Sequence, residues 1–98
     1  MAKFARVSIG HSDPARFDEG VATLNEMVVS RVRELPGFQH AYWLGDRTTG
    51  KWLSVVVFDN EEHLRQTDEI GDRLRQQAAG PLGVRFTAVE AYEVAAEA

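Results

Sequence analysis

The chain reads strand, helix, strand, turn, strand, helix, strand, with little left over, and that order leaves few folds open. Residues Phe4 to Ile9 alternate in character, which is the period of a strand, and Gly10 is the expected stop. Asp13-Pro14 then supplies a cap and a first helical residue that needs no N–H donor. Phe17, Val21, Leu24, Val28, Val32 and Leu35 recur every three or four residues, one apolar stripe on a helix that Pro36-Gly37 stops. Phe38 to Gly45 and Lys51 to Phe58 are two strands joined across the polar turn Asp46 to Gly50. Asp59 as cap and Glu62 three residues on open a second helix with a thin apolar face, Leu64, Ile70, Leu74 and Ala78. Gly71 in its middle predicts a weak point or break there. Val84 to Val94 is the last strand.

Two strand–helix–strand units predict an α+β, ferredoxin-like βαββαβ fold: a four-stranded antiparallel sheet with both helices on one face. All 98 residues are read as one domain. In the first strand Ala5, Val7 and Ile9 are assigned to the helix side, and Phe4, Arg6 and Ser8 to the open side. The third strand is apolar on both faces, with Leu53, Val55 and Val57 on one and Trp52, Val56 and Phe58 on the other. A strand greasy on both sides is covered on both sides. A second copy of the chain is the expected cover, giving a homodimer. Arg6 on a covered face needs a carboxylate, and Glu90 on the last strand is the expected partner.

Composition narrows the function. The net charge of −4, with the eleven basic residues scattered, argues against a nucleic-acid partner. The longest apolar run, Val55 to Phe58, is far too short for a membrane span. The N-terminus has no apolar signal core, and the absence of cysteine fits a reducing compartment, so a soluble, cytoplasmic protein is expected. His11, His40 and His63 have no ligand spacing, and no metal is expected.

Two joins carry a resemblance. Arg33-Glu34-Leu35-Pro36-Gly37-Phe38, leading into Ala41-Tyr42-Trp43, is similar to the helix-to-strand join of the antibiotic biosynthesis monooxygenase-like domains. So is Trp52 to Phe58 followed by Asp59-Asn60-Glu61-Glu62 and Leu64. The resemblance implies a dimeric α+β barrel, with a small-molecule cavity between helices and sheet in each subunit. Haem-degrading relatives carry an Asn on the first strand, and a Trp and a His on the second helix. Here Ser8 falls near the first position, and Thr67 and Gln77 at the other two. No axial iron ligand stands there, and no cofactor is expected. The oxygenases use Asn, Trp and Tyr around substrate, for which this chain offers Asn60, Trp52 and Tyr42.

The resulting expectation is a cofactor-independent monooxygenase-like protein acting on a small aromatic or quinol-like molecule. His63, in the first turn of the second helix, or His40, on the second strand, would be the catalytic base. Trp52, Tyr42, Asn60 and Trp43 would shape the substrate pocket. Each has a plainer role open to it: His63 as a solvated residue near a helix cap, His40 and Tyr42 as interface packing, the two tryptophans as core. The alternative function is a homodimer of the same fold that binds a small ligand without catalysis, or is purely structural. A cavity of about 300 Å³ or more beside Trp52 and His63 would favour a ligand.

Overall fold

The structure, a computed structural model, describes residues 2–98. Four strands, β1 (Phe4–His11), β2 (Phe38–Gly45), β3 (Lys51–Phe58) and β4 (Arg85–Glu93), form one antiparallel sheet in the order β2-β3-β1-β4. The expected α+β ferredoxin-like architecture is what the chain adopts. Gly10 does not end β1 but continues it. It pairs with both Trp52 and Phe86, and a Cβ there would stand 2.5 Å from Val84 Cγ1.

The first helical layer begins with a 3-10 turn at Pro14–Arg16, capped by Asp13 Oδ1, which accepts from Ala15 N. It continues as α1 (Phe17–Thr23) and α2 (Val29–Arg33). Between them Leu24–Val28 is a π-turn, where a continuous helix was expected. The second layer is α3 (Glu61–Gln66) and α4 (Asp68–Leu82), closed by Gly83 in the left-handed conformation at φ 63°. Asn60, not Asp59, caps α3: its Oδ1 accepts from His63 N at 2.8 Å.

The break in the second helix falls at Thr67 rather than at Gly71. Its cause comes from β1. The Arg6 guanidinium donates from Nη1 to Thr67 Oγ1 at 2.8 Å and from Nη2 to the Leu64 carbonyl at 3.0 Å, and it pairs with Asp68. Thr67 Oγ1 also donates to the Leu64 carbonyl at 2.7 Å. These bonds satisfy the polar groups that a break would otherwise orphan. Glu90 is therefore not the partner of Arg6. It lies opposite Val7, on the other face.

The face assignment in β1 is the reverse of the expectation. Arg6, Ser8 and Gly10 lie under the helices, opposite Val56, Ser54 and Trp52 of β3. Ala5, Val7 and Ile9 share the outer face with Val57, Val55 and Leu53. Period two fixes that residues alternate, but not which set faces the helices. The outer face is apolar too, as the two-faced β3 pattern predicts: Tyr42, Leu44 and Tyr92 flank that row and are each more than half exposed.

Thr67 is fully buried at the centre of the Arg6 network. Thr67→Val keeps its shape and removes both hydrogen bonds. It is expected to cost about 1–3 kcal/mol in urea denaturation; a loss under about 0.5 kcal/mol, the level of an ordinary surface change, would show that the network does not hold the break.

Candidate functional site

Large side chains stand at the two ends of the helix-facing row of β3. At one end Trp52 stacks on Phe17 of α1, with centroids 4.7 Å apart and planes 17° off parallel. Trp52 Nε1 donates to Ser12 Oγ at 3.0 Å, and Arg47 lies 4.2 Å from the Phe17 ring centre. The stack needs Gly45, where a Cβ would stand 2.6 Å from Phe17 and 2.8 Å from Trp52. At the other end Phe58 and Leu64 are wholly buried, and the Arg6 guanidinium carbon sits 5.9 Å from the Phe58 ring centre.

Between these ends several of the facing side chains are small. Ser8 pairs with Ser54 across β1 and β3, and Gly20, Gly71 and Ala78 face them from the helices. The result is a partly open cavity of about 90 Å³ between sheet and helices. Leu24 and Val28, at the two ends of the π-turn, also line it. A π-turn in a helix wall is a common accompaniment of a functional site. This space is below the 300 Å³ expected of a ligand pocket. It is also below the roughly 150 Å³ that holds benzene in an engineered protein core. An aromatic guest must spread the helix layer or extend toward solvent.

Of the residues singled out in the sequence, Trp52 and Trp43 line this cavity. Trp43 lies opposite Ser54 and Trp52 opposite Gly45, so both present to the helix side. Tyr42 lines a second, more open groove of about 290 Å³ at the β2 edge, with Phe17 and Val21, which shares Leu24, Trp43 and Trp52 with the cavity. His40 is exposed and lies on the outer face, opposite Val57. His63 is at the β3–α3 join, its Nδ1 2.5 Å from Asp59 Oδ1, and Asn60 is occupied as the helix cap. The His63 ring fills the space over Gly37, where a Cβ would stand 2.5 Å from Nδ1. His40, His63 and Asn60 are not among the residues lining the cavity.

The polar groups that do line it are Arg6, Ser8, Ser54 and Arg75. Burial pushes the Arg6 guanidinium below the ordinary arginine pKa, Asp68 opposes this, and Arg75 adds to it. Arg6 nonetheless stays charged at neutral pH. Neither an imidazole nor a carboxylate is among the lining side chains of the described residues. No group of three metal-ligating side chains occurs among them either. The site therefore offers an apolar wall to a flat molecule that spreads the helix layer or reaches toward solvent, and hydroxyl and guanidinium donors to its polar substituents.

Comparison with known proteins gives the fold. No protein-family profile matches the chain, and no curated protein matches its sequence. Solved structures do. A monooxygenase from Streptomyces coelicolor, solved in complex with the ligand nanaomycin D, superposes with a TM-score of 0.67 at 19% identity, covering 99% of this chain and 88% of that one. SnoaB, a cofactor-independent oxygenase from Streptomyces nogalater, matches with a TM-score of 0.60 at 16% identity over 100% of this chain and 96% of its own. A dimeric ferredoxin-like protein from an uncultured marine organism matches at 0.67 and 14% identity over 99% and 97%. The chain has the fold of antibiotic biosynthesis monooxygenase-like proteins, as its two joins suggested.

Proposed function

We propose that the protein is a homodimeric, cofactor-independent monooxygenase for a small aromatic or quinol-like molecule, bound between the helices and the sheet. The observation that carries this is a cavity walled by Trp43 and Trp52, in a fold shared with SnoaB and with the nanaomycin-bound monooxygenase. In the chemistry proposed, the substrate supplies the electrons. An activated CH₂ next to a phenol or carbonyl loses a proton, the carbanion adds O₂, and the O–O bond breaks with loss of water. CH₂ and O₂ become C=O and H₂O; in a quinol the anion adds O₂ at a ring C–H instead, and C₆H₆O₂ and O₂ become C₆H₄O₃ and H₂O, so both balance without a further reductant. The protein's share is to orient the ring, exclude bulk water and hold the anion beside hydroxyl and guanidinium donors. His63 and His40 stand outside the cavity, so the proton is assigned to solvent at the cavity mouth.

The second reading, a ligand-binding homodimer without catalysis, is favoured by the lack of an imidazole or carboxylate on the cavity wall. Oxygen-electrode assays with a panel of anthrones, hydroquinones and phenols separate the two. The monooxygenase reading predicts uptake above buffer with at least one compound. It also predicts a fall of at least about tenfold in Trp43→Ala, with little change in His63→Gln. Ligand-dependent thermal stabilisation with no uptake would select the binder.

The homodimer rests on the outer face of the sheet, where Val7, Ile9, Leu53, Val55 and Val57 form an apolar field open to water in one chain. Sedimentation is expected to give twice the chain mass, and Val55→Lys to halve it. A wild-type protein that stays single at high concentration would remove the dimer.

A further inference from the structure

Two arginines converge on one wall of the cavity. Gly71 is where they meet: Arg75 Nη1 and Arg6 Nη1 stand 3.3 Å and 3.4 Å from where a Cβ on that residue would sit. Both line the cavity. Their counter-charges lie on the solvent side. The Arg6 and Arg75 side chains are 8% and 16% exposed, whereas their partners Asp68 and Asp72 are 51% and 67% exposed. Arg75 donates only from Nη2, to Asp72, among the described residues. Its Nη1 and Nε donors therefore have no protein acceptor among the described residues. Arg6 is better satisfied, but its Nε likewise has no partner among the described residues.

Side by side, two guanidiniums in a half-dry wall disfavour each other's charge, an effect that the more exposed Asp68 and Asp72 oppose. An anion set between them relieves that repulsion and receives the spare donors. Carboxylates suit guanidinium geometry because both are planar and pair through two parallel hydrogen bonds. The ring attached to such a carboxylate would extend along the apolar cavity toward Trp43 and Trp52. We infer that Arg6 and Arg75, meeting over Gly71, form an anion-binding subsite that selects aromatic molecules bearing a carboxylate. The inference rests on the reading of this cavity as the ligand site, and it names the class of ligand.

Benzoate and its neutral isostere benzamide test it, titrated at neutral pH and followed by tryptophan emission. The wild type is expected to bind benzoate at least about tenfold more tightly than benzamide. Arg75→Gln should bring the two to within about twofold, and Arg75→Lys should restore part of the preference. Circular dichroism of each variant reports whether it is folded, and Arg75, at the outer end of the pair, is the safer of the two arginines to replace. Equal binding of both compounds by the wild type would leave the cavity as a ligand site and overturn the anionic subsite. A benzoate preference unchanged in folded Arg75→Gln would overturn it as well. Binding of neither compound would overturn the cavity reading, and the subsite with it.

Discussion

The helix layer is held off the sheet by large side chains at the two ends of β3, and the site depends on the gap this leaves. Trp52 stacked on Phe17 fills one end, and Phe58 with Leu64 is buried at the other. Ser8, Ser54, Gly20, Gly71 and Ala78 lie between and are too small to fill the space. Protein interiors are otherwise packed to crystal density. A row of small residues flanked by large ones is thus a way to keep a cavity while retaining most of the core's burial.

Arg6 ties this architecture to the helix break. It starts on β1, passes under the second helical layer, and ends on Thr67, the Leu64 carbonyl and Asp68. One side chain thereby fixes where α3 ends and α4 begins, and places a positive charge on the cavity wall. Breaking a buried, hydrogen-bonded charge network is more costly than never having built one. Gly71 allows the guanidinium to approach α4, and a larger residue there would crowd both arginines.

Much of the fold was legible in the sequence because strand and helix periods differ, and because Pro36-Gly37 and the polar turn Asp46 to Gly50 punctuate them. The β1 face assignment was not legible. Arg6 and Ser8 look like the set turned away from the helices, and only their pairing with Val56 and Ser54 on the Trp52 side of β3 shows that they line a cavity. The helix break was missed for the same reason: local propensity points to Gly71, whereas the cause is an arginine more than sixty residues away in sequence. At the site, Trp43 and Trp52 were found because aromatic residues on facing strands announce themselves. His63 was singled out for its chemical type and its place at the strand–helix join; its bond to Asp59 and its packing over Gly37 hold it there, outside the cavity lining. The signal that was available and unused was the run of small and polar residues on one parity of β1.

The proposed function requires that the space between Trp52 and the Phe58 end of β3 receive a flat guest. A crystal soaked anaerobically in hydroquinone tests it directly. Electron density for a planar ring is expected between Trp43, Trp52 and Ala78, with the helix layer moved outward to admit it. Full occupancy on the outer sheet face or in the groove beside Tyr42, with the cavity unchanged, would contradict it.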